Sequence, residues 1–236
     1  MAIEVERAGK PTNQPPPLEH VNLVAQNRPL VEALHREGAG WAERRALELG
    51  ERLAGEPLRL GEEANRHPPV LRTHDRVGRR IDDVEFHPSW HALLGLGLEQ
   101  GLHALPWREP RPGAHAARAA LFITMSQVES GVGCPLSMTY SAVPALRAEP
   151  QLAEEWEPRL TALAYDPRPV SAPEKAGALC GMGMTEKQGG SDVRANATAA
   201  SPLGEGEYEL TGHKWFCSAP MCDVFLVLAQ APAGLS

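Results

Sequence analysis

Gly181-Met182-Gly183-Met184-Thr185-Glu186-Lys187-Gln188-Gly189-Gly190-Ser191-Asp192-Val193 is the stretch that decides how the rest of this chain is read. Small residues lead into a hydroxyl, and a glycine pair is followed by Ser-Asp. Glycine lets backbone come close to a flat or phosphorylated ligand. Free N–H groups with two hydroxyls make a cradle for an anion or a polar ring edge. A tight turn between helix and strand would use the same residues, so residue types alone leave both readings open. The stretch lacks the Lys and the spacing of a P-loop, and it is not the G-x-G-x-x-G of a dinucleotide fold.

The texture differs on its two sides. Upstream, residues 30–53 read as helix with a break near Gly38 and Gly40, because Trp41, Ala42, Ala46, Leu49 and Leu53 fall at three- and four-residue steps. Gly55 and Pro57 end it. Residues 86–100 place Trp90, Leu93, Leu94 and Leu98 on one side. Residues 114–129 carry Ala117, Ala120, Leu121 and Val128 along one stripe, with Arg118 and Glu129 outside it. A further helical piece spans residues 135–147, and residues 57–88 are mixed, with a turn around Gly78. Residues 1–29, with PTNQPPP, read as an extended arm.

Downstream, Ala195, Ala197 and Ala199 alternate with polar residues as a half-buried strand would. Residues 202–206 supply a turn, Tyr208 and Leu210 alternate on the return strand, and residues 224–229 form an apolar run of strand length. Helices followed by antiparallel strands make an α+β order. A last strand with no closing partner would leave an open sheet edge, which by itself is weak evidence of truncation.

The bulk numbers restrict function. A net charge of -7 argues against a surface built mainly for nucleic acid. The first ten residues, MAIEVERAGK, have no apolar core of a secretory signal, and no run approaches the roughly 18 apolar residues of a membrane helix. Cys134, Cys180, Cys217 and Cys222 are irregularly spaced and read as reduced thiols of a cytoplasmic protein. His87 and His91 stand four apart, but no third ligand is evident and Pro88 follows His87, so a capping or core role is favoured over a metal. Zinc at Cys217 and Cys222 is rejected for want of a matching pair. Glu129, before Gly-Val-Gly, reads first as a helix-end carboxylate and second as a group facing the ligand region.

A resemblance then enters. Thr185-Glu186-x-x-Gly189-Gly190-Ser191-Asp192 resembles the flavin signature of the acyl-CoA dehydrogenases, and Gly212-His213-Lys214-Trp215-Phe216-Cys217-Ser218 resembles their second flavin segment. Two motifs in the right order on loops flanking a hairpin are a strong signal. The run GMGMTEKQGGSDV, with REGAGW at 36–41, ANRHPP at 64–69 and RRIDDVEFHPSWH at 79–91, is similar to the AidB-type branch.

The resemblance implies an all-α amino-terminal domain over residues 30–175 after the arm of 1–29. It also implies the first strands of an antiparallel β-barrel-like middle domain over 176–236, with a carboxyl-terminal helical bundle missing. The implied cofactor is FAD, held by Met182, Gly183, Met184, Thr185, Gly190, Ser191, Phe216, Cys217 and Ser218. Met182 to Thr185 would line the isoalloxazine by backbone, with the Thr185 hydroxyl near its pyrimidine side. Ser191 would meet the pyrophosphate, Phe216 would pack beside the ring, and Ser218 would sit near N5. Most members carry an indole where Phe216 stands; here the Trp is one position earlier, at Trp215. Glu186 would be structural.

The catalytic Glu would lie beyond these residues, so none is assigned here, and these 236 residues alone are expected to bind flavin weakly and to be inactive. The implied activity is acyl-CoA α,β-dehydrogenation in a cytoplasmic homotetramer with no membrane partner. A link to the DNA alkylation-damage response would act through the missing bundle, and an ordinary short- or branched-chain dehydrogenase without a DNA role is the alternative.

Overall fold

A computed structural model describes residues 13–15 and 18–236. Helices dominate to residue 160: α1 (Arg28–Arg36), α2 (Glu43–Leu53), α3 (Glu56–Arg66), α4 (Pro88–Glu99), α5 (Leu105–Arg108), α6 (Ala114–Ser126), α7 (Gly133–Leu146) and α8 (Pro150–Leu160). The expected break falls between α1 and α2, at a short 3-10 turn over Gly40–Ala42. Part of the expected arm lies outside the described residues. Its described end is tied down rather than extended, because Leu23 and Val24 are buried and the Asn22 carboxamide oxygen takes the N–H groups of Val24 and Ala25.

The periodic leucines do what their spacing predicts. Leu34, Leu49, Leu53, Leu93, Leu94, Leu98, Leu102 and Leu121 fill one core and are at most 2% exposed. Each such side chain contributes roughly 1.5–3 kcal/mol by leaving water. Arg118, outside the stripe of α6, lies under the Phe122 and Tyr140 rings, at 4.4 and 4.2 Å from their centroids, and donates to the Leu102 carbonyl.

Three features stand out as not legible in the sequence. Gly55 and Pro57 do not merely end α2; Pro57 sits in the first turn of α3, where its missing N–H costs nothing. The mixed stretch also holds a hairpin, β1 (Val70–His74) with β2 (Arg80–Glu85), so the amino-terminal region is not all-α. The third is α8, whose Pro158 hid the pattern.

The strand region contains β3 (Cys180–Gly183), β4 (Ala199–Gly204), β5 (Glu207–Thr211), β6 (Val224–Val227), β7 (Gln230–Ala231) and β8 (Gly234–Leu235). Pairing is mixed rather than purely antiparallel. β3 runs parallel to β6, and a four-stranded sheet has the order β5-β4-β7-β8 with β4 parallel to β7. The β4–β5 turn is narrower than residues 202–206. Glu205 (φ 52°) and Gly206 (φ 84°) both adopt left-handed backbone, as a two-residue hairpin turn requires.

The parallel pair docks on α7: the Cys180 N–H donates to Thr139 Oγ1 at 3.0 Å, and Cys180 packs with Ala142, Leu146 and Leu160. Burial raises the Cys180 thiol to about 11, which leaves it unreactive at neutral pH. Lys175 Nζ reaches Asp223 Oδ1 at 2.6 Å, and Asp223 Oδ2 accepts from the Leu179 N–H at 2.8 Å, fastening the start of β3 to the start of β6. The described cysteines are all free.

Candidate functional site

Thr185 is where the predicted segments meet. It stands just past Met184 at the end of β3, and its carbonyl accepts a hydrogen bond from the Trp215 N–H at 2.9 Å. A bridge between Glu186 and Lys214 continues that contact, so the stretch 182–191 and the stretch 214–218 are zipped edge to edge. Gly190 lies over the Thr185 side chain: a Cβ there would stand 2.9 Å from both Thr185 Cγ2 and Oγ1, so only glycine allows the approach. Met182 and Gly183 are in β3, and Met184 and Thr185 lead out of it, half-buried.

Beneath the loops sits Glu186, 3% exposed. Its Oε1 accepts from the Thr198 N–H at 2.9 Å, the Thr198 hydroxyl at 2.6 Å and Lys214 Nζ at 3.0 Å. Its Oε2 accepts from the Ala197 N–H at 2.7 Å and from the Gln188 side chain. The Thr198 hydroxyl, then the Ala197 N–H, hold this carboxyl well below the usual carboxylate range. A group so committed is a poor proton acceptor near neutral pH.

This network corrects one expectation. Ala195, Ala197 and Ala199 are exposed, and it is the polar residues between them, Asn196 and Thr198, that are buried. The β4 strand begins only at Ala199, because the carboxylate of Glu186 captures the backbone before it.

Ser191, Cys217 and Ser218 are exposed, as are Trp215 and Phe216. Phe216 is 81% exposed, and its backbone is left-handed at φ 56°. Such a conformation is costly for a bulky residue and clusters at ligand sites. Trp215 is 41% exposed, with Lys187 Nζ 5.8 Å from its ring centroid. A cavity of about 370 Å³ borders Gly189, Gly190, Ser191, Asp192 and Asn196. The Asn196 side chain donates to the Met184 carbonyl at 2.8 Å, while its Oδ1 is buried with no hydrogen-bond partner among the described residues.

A second cavity, about 470 Å³, opens where the helical and strand regions meet. Ser218 and Ala219 form one wall; Trp90, Glu129, Cys134 and the imidazoles of His67 and His87 form others. Glu129 faces this space and is also the helix-end group, its two oxygens accepting from the Gly131 and Val132 N–H groups at 2.7 Å each. His87 caps α4 by accepting from the Ser89 N–H, and His91 pairs with the Tyr165 hydroxyl at 2.6 Å. No metal-binding cluster occurs among the described residues.

Comparison with known proteins follows the same division. Residues 13–167 match the family described as adaptive response protein AidB, N-terminal domain. Residues 181–236 match the acyl-CoA dehydrogenase middle domain. The chain belongs to the AidB-type branch of the acyl-CoA dehydrogenase family. It is 47% identical over 227 residues to the putative acyl-CoA dehydrogenase AidB of Escherichia coli (strain K12), covering 95% of this chain and 42% of that protein. It is 32% identical to acyl-CoA dehydrogenase family member 11 of Caenorhabditis elegans, over 77% of this chain and 29% of that protein. The chain thus spans less than half the length of these relatives.

Two solved structures of this fold are similar. The apo-form of Bd2924 has a TM-score of 0.80 and 29% identity, over 94% of this chain and 46% of that one. Caenorhabditis elegans ACDH-11 in complex with C11-CoA has a TM-score of 0.77 and 26% identity, over 96% and 39%. Sequence reasoning named the loops of this acyl-CoA dehydrogenase-type region but missed Thr198 and Asn196. The available signal was a buried-type carboxylate in the motif, which had to find donors somewhere.

Proposed function

We propose that the two zipped loops hold FAD and that the 470 Å³ cavity beside them takes the acyl end of a coenzyme A thioester. The observation that carries this is the pairing of Trp215 N–H with the Thr185 carbonyl, which sets a strained, exposed Phe216 beside a glycine-lined backbone edge. The residues present fit the cofactor. A cradle at Gly190 that a Cβ would fill, the Ser191 hydroxyl beside it, and the unpartnered acceptor Asn196 Oδ1 suit a ligand carrying phosphate and hydroxyl groups.

When bound, FAD supplies the hydride acceptor for α,β-dehydrogenation of the thioester. In this reading Met182, Gly183, Met184 and Thr185 offer backbone to the ring edge, and Ser191 donates to phosphate. Phe216 keeps water off the ring system, beside Cys217. Ser218 presents its hydroxyl at the cavity mouth. Glu186 is not free to take the α proton, since N–H and O–H donors and Lys214 occupy its carboxylate.

The test is FAD titration followed by flavin absorbance. Ser191→Ala is expected to weaken binding by about 1–3 kcal/mol, the contribution of a charge-assisted hydrogen bond; unchanged affinity in Ser191→Ala and Phe216→Ala together rejects the placement. We further propose, from the kinship with the adaptive response protein AidB, a cytoplasmic homotetramer linked to the DNA alkylation-damage response. A metabolic short- or branched-chain dehydrogenase is the second reading, favoured by the charge of -7 on these residues. Salt-dependent retention of duplex DNA by the protein supports the first; turnover of a branched acyl-CoA without DNA retention supports the second.

A further inference from the structure

The cavity wall holds a feature that the flavin reading does not use. His67 and His87 stack face to face, with ring centroids 4.4 Å apart and planes 13° apart. His67 follows α3 and His87 caps α4, so the stack bridges two helices. Their backbone partners fix both tautomers. His67 Nδ1 lies 2.8 Å from the Glu63 carbonyl, which can only accept, so Nδ1 carries the proton and Nε2 is an acceptor. His87 Nδ1 accepts from the Ser89 N–H at 3.3 Å, so its proton is on Nε2, which is a donor. When both rings are neutral, the stack carries one acceptor, His67 Nε2, and one donor, His87 Nε2, among otherwise mostly apolar cavity-lining residues such as Ala64, Phe86, Trp90, Cys134 and Pro135.

We propose that the His67–His87 stack is a specificity clamp for a ligand group that both donates and accepts a hydrogen bond. That group is a hydroxyl or carboxamide on the acyl chain, or an amide of the pantetheine arm. This rests on reading the cavity as the thioester pocket. His67 is exposed and His87 half-buried, so an alkyl chain that covered the stack would take both imidazole edges from water without a partner, and a site that bonds a hydroxyl discriminates against the analogue lacking it.

The experiment compares binding of hexanoyl-CoA, 6-hydroxyhexanoyl-CoA and free pantetheine to the FAD-loaded protein, read by Trp fluorescence and by calorimetry. The variants are His67→Leu and His87→Asn, the latter keeping a side-chain cap on α4. A preference of tenfold or more for the hydroxyacyl ligand, abolished in both variants, assigns the clamp to the acyl chain. Equal acyl affinities with a tenfold loss of pantetheine binding in both variants assign it to the pantetheine amide. Equal affinities unmoved by either variant overturn the clamp while leaving the thioester pocket intact. Binding of none of the three overturns the pocket reading and the clamp with it.

Discussion

The helical region and the strand region of this chain are held together by different physics. In the first, leucines at helical spacing are removed almost wholly from water, and polar groups mostly cap or decorate the surface. In the second, Leu203, Tyr208, Leu210 and Trp215 are 41–67% exposed, and the centre is a carboxylate, Glu186, surrounded by donors. Apolar burial is non-directional and tolerant of small shifts, whereas a buried charge specifies one geometry. A region that must present two loops in register suits the second kind of core. The contrast explains why the loops reach each other: Lys214 and Thr198 are pulled to the same Glu186 oxygen, Oε1, and Trp215 follows Lys214 to the Thr185 carbonyl.

Substitution of like residues in the two regions sharpens the contrast. Leu94→Ala, in the helical core, is expected to cost about 2–5 kcal/mol in denaturant unfolding through the cavity it leaves. Leu210→Ala, on β5, is expected to cost under about 0.5 kcal/mol, as at exposed positions generally. Similar losses at the two sites would break the comparison.

Acid separates the regions next. His103 is fully buried, donates from Nε2 to the Ala162 carbonyl at 2.9 Å, and its Nδ1 has no hydrogen-bond partner among the described residues. Burial lowers its pKa from 6.5 to about 4. Its folded value is below the unfolded one, so the neutral imidazole's contribution is complete above pH 6.5 and is lost as pH falls toward 4. The loss is up to about 3 kcal/mol, and His103→Gln should flatten that part of the stability profile. Glu186 is also lowered, so its contribution holds above the ordinary carboxylate pKa and is lost only at more acid pH. Glu186→Gln should therefore leave intact the part of the profile that lies between pH 6.5 and the ordinary carboxylate pKa of 4.5. Its expected effect is local: faster hydrogen exchange at Ala197, Thr198 and Trp215, with α4 and α6 unchanged. The smallest effect concerns thiols. Exposed Cys134 and Cys217 should alkylate in the folded protein while Cys180 does not, read by mass spectrometry.

Sequence periodicity made the leucine-bearing helices legible, because apolar spacing reports a buried face directly. It failed where burial is polar. The alternation at residues 195–199 was visible, but its hydrophobic reading pointed Ala197 inward, when Glu186 draws Asn196 and Thr198 there instead. The β1–β2 hairpin was reduced to its turn around Gly78, since Leu71 and Ile81 remain exposed and leave no one-sided pattern. The loop motifs were legible only as motifs. Their contact depends on a bond from Trp215 to a carbonyl thirty positions away in sequence, roughly, which no local pattern encodes.

Residue-resolved hydrogen exchange with and without saturating FAD tests the central claim most directly. Slowing concentrated at residues 182–191 and 214–218 together is the predicted result. Slowing in only one of these loops, in neither, or instead along the β1–β2 hairpin would contradict a single cradle built from both.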